Sequence, residues 1–219
     1  MYLNERLLVA VAYSKAAGPV SAQSSRANSA PGDGFGGLAC RASFRPQRFQ
    51  AKYNAMTIRD ILKFPDPRLR LPAAVVTVFD GALKALSGDL LDTMRAAPGI
   101  GITGPHIGES WRITVLELAP GEVRIYVNPQ IIWQSTELKA HEEGSVSMPG
   151  AIETIERPAR VRVRYQDING VPAVEEADGL LAVCLQHEID QLDGIFWIHR
   201  LSRLKRERLV KKWEKQRNR

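Results

Sequence analysis

An α+β fold, with a mostly antiparallel sheet wrapped around one central helix and a C-terminal helix to finish, follows from three features of the sequence. Strand-like segments at 111–118, 123–128, 131–134 and 159–166 succeed one another without intervening helices, which favours antiparallel over βαβ pairing. Helical periodicity is confined to about 80–97, 177–192 and 202–217. The chain of 219 residues, 44% hydrophobic and 25% charged, has the make-up of one core-forming domain with flanking segments.

Residues 1–55 read as an extension ahead of the domain. The run 19–37 is mostly Ser, Ala, Gly, Asn and Pro and carries no sustained period. It is poor in acid, with scattered Arg and Ser, which resembles an organellar transit peptide, but the favoured reading is that Met56 is the true start and the preceding residues are a mis-called or dispensable leader. Organised sequence begins at Thr57, and the domain is placed at 56–203. Phe64-Pro65-Asp66-Pro67 is a proline-stiffened loop. Leu83, Leu86, Leu90, Leu91 and Met94 give the first helix its apolar stripe, and Pro98-Gly99 ends it. In 159–166, Val161, Val163 and Tyr165 alternate with Arg160, Arg162 and Arg164, the pattern of a strand with one wet face. Asn169-Gly170 signals a tight turn. The last helix, 204–219 with its approach, continues the domain.

The net charge of +6 is unevenly distributed. Residues 1–55 carry seven Lys/Arg against Glu5 and Asp33, and residues 204–219 carry eight against Glu207 and Glu214, so the central body is acidic. Two basic ends on an acidic body do not make a general nucleic-acid surface, and DNA binding is not expected. No stretch approaches the ~20 apolar residues of a membrane span. Cys40 and Cys184 stand in different contexts, which fits a reducing compartment better than a disulfide framework.

The chemistry lies in Gln186-His187-Glu188-Ile189-Asp190-Gln191. A helix carrying His-Glu with a second His four residues after the first sets two imidazoles on one face, with a carboxylate beside them as general base. Here the closing position is Gln191. Cys184, three residues before His187, reads as a packed core thiol, and His141 and His199 read as surface residues.

Three ordered segments resemble the peptide deformylase family. Gly99-Ile100-Gly101-Ile102-Thr103-Gly104-Pro105-His106 is similar to its Gly-x-Gly-x-Ala-Ala-x-Gln segment, and Glu143-Gly144-Ser145-Val146-Ser147 to its Glu-Gly-Cys-x-Ser segment. Gln186 to Gly194 is similar to its Gln-His-Glu-x-Asp-His-Leu-x-Gly helix. The resemblance spans about 56–217 and implies the deformylase fold. It also implies a hydrolase acting on the N-formyl group of the initiator methionine of new proteins, in the bacterial cytoplasm or, if 1–55 is a transit peptide, in an organelle.

By the same resemblance, a divalent metal, iron or zinc, is held by one Cys and two His, with the helix Glu moving the proton. An oxyanion is then held by a Gln side chain and a backbone N–H. Mapped by motif position, His187 is the retained ligand and Glu188 the retained base; Ser145 and Gln191 stand at the other two ligand positions, and His106 and Val146 at the oxyanion positions. Gly99, Ile100, Gly101, Ile102 and Met148 are expected to line the substrate groove.

A neutral hydroxyl and a neutral amide are poor replacements for thiolate and imidazole, so the expectation is weak or absent metal binding and a pseudoenzyme. The alternatives are an active metal-dependent deformylase or amidase rearranged around His106, His187 and Glu188, and a non-catalytic peptide- or ribosome-binding protein. Without a metal, Glu188 is expected to carry a raised pKa or to hydrogen-bond Gln191 or His106, and His106 to bond Glu188 or Ser145. Glu143 is expected to pair with an arginine of 157–164. The basic helix 204–219 is a possible ribosome contact.

Overall fold

The computed structural model describes residues 57–217, so the expectations for 1–55 lie outside the described residues. The helix expected at 80–97 is α1, Gly81–Ala96. Asp80 caps it, its carboxylate accepting from the amides of Ala82 (2.9 Å) and Leu83 (3.1 Å). Seven strands follow: β1 (Gly101–Thr103), β2 (Ile113–Glu117), β3 (Val123–Gln134), β4 (Leu138–Ser145), β5 (Met148–Pro158), β6 (Arg160–Gln166) and β7 (Pro172–Asp178). The motif helix is α2, Gly179–Leu192, and the basic C-terminal helix is α3, Arg203–Arg217.

All the strand pairings are antiparallel. Five strands form one sheet in the order β1-β2-β3-β6-β7, and β4 and β5 pair separately as a long hairpin. The larger sheet is covered on both faces. Leu116, Tyr126, Val161, Val163 and Ala177 pack against Ala182, Val183, Leu185 and Ile189 of α2. Ile113, Val115 and Val127 pack against Leu83, Leu90 and Met94 of α1. Burial on both faces explains why β2 reads as a continuous apolar run and not as an alternation. A third cluster joins Leu69, the hairpin (Met148, Ala151, Ile155), Phe196–Ile198 and the apolar side of α3, where Leu209 and Trp213 are buried.

Two local devices position the site. Gly194 (φ +77°) closes α2, and a side chain there would stand 2.6 Å from the Arg70 carbonyl oxygen, so the chain leaving the motif helix lies directly on the leading loop. That loop is stitched to the motif segments by backbone bonds from Leu62 N–H to His106 O (2.8 Å) and from Phe64 N–H to Ser147 O (2.9 Å). Of the four strands that the sequence reading did not separate, β1 is very short, β4 and β5 bury the charged Glu143 and Arg157, and β7 buries only Ala177.

Candidate active site

Helix α2 runs under the sheet with residues 182–191 buried, and brings Glu188 against Gly101 of β1, His187 against Glu143 of β4 and Gln191 against Leu69 of the leading loop. His187 is held through Nδ1, which lies 2.9 Å from Glu143 Oε2. Arg157 grips the same carboxylate through Nε (2.5 Å) and Nη2 (2.9 Å) and reaches Asp190 Oδ2 through Nη1 (2.8 Å). Arg200 also pairs with Asp190. The expected partner of Glu143 is thus Arg157, at the end of β5, and the pairing extends to His187.

Burial works to raise the Glu143 carboxyl, but Arg157 and His187 outweigh it and hold it down to about 2. Burial likewise works to lower the His187 imidazole. The hydrogen bond and charge of Glu143 win, and the net direction is upward.

Glu188 is fully buried beside Gly101. A Cβ on Gly101 would lie 2.4 Å from Glu188 Oε1 and 2.8 Å from Leu116 Cδ2, so only glycine leaves room for the carboxylate. Neither oxygen of Glu188 has a hydrogen-bond partner among the described residues. Burial, and then the charge of Glu143 against the opposing pull of His187, pushes its pKa up to about 7. The expected raised pKa is present; the expected bond to Gln191 or His106 is not.

His106 departs from expectation in its partners. It bonds neither Glu188 nor Ser145: the Thr103 amide donates to its Nδ1 (3.0 Å), and Thr103 Oγ1 lies 2.9 Å from the same atom. That arrangement puts the ring proton on Nε2. Burial, reinforced by the positive charges of His187 and Lys63, pushes the imidazole down to about 3, so the ring is neutral. Its Nε2 is buried and without a partner among the described residues.

The two altered ligand positions are occupied by hydrogen bonds within the chain. Gln191 Nε2 donates to the Leu69 carbonyl (2.8 Å), a contact between residues 122 apart in sequence. Ser145 Oγ accepts from the Ser147 amide (3.1 Å). Among the described residues no three His, Cys, Asp or Glu side chains are grouped as metal ligands. A divalent metal with one thiolate and two imidazoles does not fit a donor set of one imidazole, a hydroxyl and an amide turned to a carbonyl.

Cys184 is fully buried in the core, and burial raises its thiol well above the ordinary range. Gly101, Ile102 and Met148 are buried, Met148 within the cluster beneath α3, while Gly99 and Ile100, just before β1, are half-buried. β1 is an edge strand of the larger sheet. Lys63, which the sequence reading missed, donates to the carbonyl of Val146 (2.9 Å) and so fixes the peptide unit between Val146 and Ser147. His141 and His199, expected at the surface, are half-buried.

The model of the family described as Polypeptide deformylase matches residues 58–207. The chain belongs to this family. Among deformylase relatives, a "Peptide deformylase-like" protein of Brucella melitensis is 64% identical over 162 residues, covering 73% of this chain and 98% of its own. A "Peptide deformylase" of Phenylobacterium zucineum is 46% identical over 164 residues, covering 73% and 97%. The crystal structure of a peptide deformylase from Legionella pneumophila superposes with a TM-score of 0.70 at 41% identity, covering 74% of this chain and 96% of that one. The peptide deformylase fold read from the sequence is therefore correct. No helix among the described residues is long and apolar enough to cross a membrane.

Proposed function

We propose that this chain is a peptide deformylase-like protein that has kept the peptide-binding frame of its family and lost the metal chemistry: a pseudoenzyme that holds N-terminal peptides of new proteins in the cytoplasm without hydrolysing them. One observation carries the reading. The amide of Gln191 is turned to the Leu69 carbonyl, so a second ligand position does structural work in place of coordination.

The polar atoms that a bound peptide end would meet are the Nε2–H of His106 and the oxygens of Glu188, a buried donor and a buried acceptor pair without partners among the described residues. Unpaired buried groups of this kind cost roughly 1–3 kcal/mol each, which a polar ligand recovers. The half-buried Gly99 and Ile100, just ahead of edge strand β1, suit strand-like pairing with an extended peptide.

The second reading, an active enzyme rearranged around His106, His187 and Glu188, draws on the same unpartnered atoms. It requires His106 to give up the Nε2 proton that its Thr103 contacts impose. Ribosome contact through 204–219 is proposed from the exposed Lys205, Arg208, Lys211, Lys212 and Lys215 on α3, opposite its packed Leu209 and Trp213. It is tested by salt-dependent co-sedimentation with and without that helix.

The test of the main reading is metal content with activity. Anaerobically purified protein, assayed on a formyl-methionyl peptide, is expected to carry far less than one iron or zinc per chain and to leave the formyl group in place. Stoichiometric metal with turnover overturns it.

A further inference from the structure

The segment 73–79, Ala-Ala-Val-Val-Thr-Val-Phe, runs extended along the outside of the domain just before α1. Its inward side is fully bonded. Ala74 N–H donates to Ser110 O (2.6 Å) and Ala74 O accepts from Arg112 N–H (2.8 Å). Val76 exchanges two bonds of 2.8 Å with the side chain of Asn128, whose positive φ (53°) turns it to face the segment. Val75 and Thr77, one on each side of Val76, point their backbone N–H and C=O groups the other way, and among the described residues those four groups have no hydrogen bond.

This edge is also apolar and unguarded. Leu71 and Val75 are each 57% exposed, Val78 64% and Trp111 46%. The stretch from Ala73 to Phe79 contains no charge and no proline, the devices that usually blunt a free strand edge. A groove of about 540 Å³ runs beside it, lined by Val76, Leu83 and Leu86 together with the charged Arg59, Asp89 and Glu109.

We propose that a second copy of this chain covers this edge, pairing antiparallel about a two-fold axis at Val76. The spacing of the free groups selects this partner. In an antiparallel ladder, hydrogen-bonded pairs exchange both bonds and alternate with non-bonded pairs. With Val76 opposite Val76 as the non-bonded pair, Val75 of each copy faces Thr77 of the other, and all four free groups on each chain are satisfied by the same four on its mate.

The surface is thus self-complementary, as an isologous interface demands. In this register Val78 of one copy comes opposite Ala74 of the other, which is bridged to the exposed Trp111.

Sedimentation velocity on the full chain between roughly 1 and 100 µM tests this. The expected result is a reversible monomer–dimer equilibrium, with the Val75 and Thr77 amides exchanging more slowly as concentration rises. Thr77→Pro removes two of the four inter-chain bonds and is expected to weaken the dimer roughly 10–30-fold. Val75→Lys, at an exposed position, should do so by charge alone while leaving circular dichroism, and the thermal midpoint at the dilute, monomeric end of the range, unchanged, and it decides the matter if the proline variant does not fold. A chain that stays monomeric throughout the range, or a dimer that both variants leave intact, overturns the proposal. Neither outcome bears on metal content or turnover.

Discussion

Gln191→Glu tests whether the altered ligand position is structural. Gln191 is 2% exposed and Leu69 1%, and the 2.8 Å bond from the amide to the Leu69 carbonyl ties the motif helix to the leading loop. Glutamate has the same shape, but at pH 8 it offers an acceptor where a donor is needed. The Leu69 carbonyl then loses its partner, at about 1–3 kcal/mol, and a buried carboxylate faces it, so a total of roughly 2–4 kcal/mol is expected.

For a domain of this size that loss lowers the thermal midpoint by roughly 5–15 °C. The assay is thermal and urea unfolding of chelator-treated protein at pH 8. At pH 5 the introduced carboxyl, once protonated, can donate to the same carbonyl, and most of the loss should be recovered. Chelator should leave the wild-type midpoint where it was. A variant within about 0.5 kcal/mol of wild type at pH 8, or a wild type that loses stability on chelation, refutes the reasoning.

Two further outcomes follow from the buried charges and the donor set. Glu188 has a folded pKa raised to about 7 from an ordinary 4.5, so its contribution to stability is fully present below pH 4.5 and is lost as pH rises through 7. In urea unfolding of chelator-treated protein, Glu188→Gln is therefore expected to match wild type near pH 4.5 and to exceed it by about 3 kcal/mol at pH 8. His106 works in the opposite sense, losing stability as pH falls below 6.5, but it is common to both proteins and cancels in the difference; a difference that is flat with pH contradicts the assignment. The double variant S145C/Q191H should gain one tightly bound metal per chain, measured by metal analysis, while being less stable than wild type in chelator because the Leu69 clamp is gone. A double variant that binds no metal would mean the frame itself has drifted.

Much of the fold was legible because period and burial agree. The stripe Leu83, Leu86, Leu90, Leu91 and Met94 marks α1, and the Val/Arg alternation of 160–165 marks β6, since each element has one covered face. The β4–β5 hairpin was not legible. It buries Glu143 and Arg157, and although an arginine partner for Glu143 was expected, the contacts with His187 and Asp190 that let both charges sit inside a hairpin were not.

The site was legible in the identity of its residues and in the arginine partner of Glu143, but not in the partners of His106 and Gln191. Ser145 and Gln191 visibly depart from the Cys and His of the family motif. That Gln191 bonds a carbonyl 122 residues away, and His106 its own turn, are facts of tertiary geometry. Lys63 gave no signal at all, because a lysine ahead of a proline-rich loop is indistinguishable from a solvated one until the Val146 carbonyl is placed beside it.

The measurement closest to the central claim is a metal titration of the anaerobically prepared wild-type chain, followed in the same sample by mass spectrometry of an added formyl-methionyl peptide. The expected result is no saturable binding of iron or zinc in the micromolar range and a peptide that is retained with its formyl group. One equivalent of tightly bound metal, together with release of formate at a rate proportional to its occupancy, would contradict it.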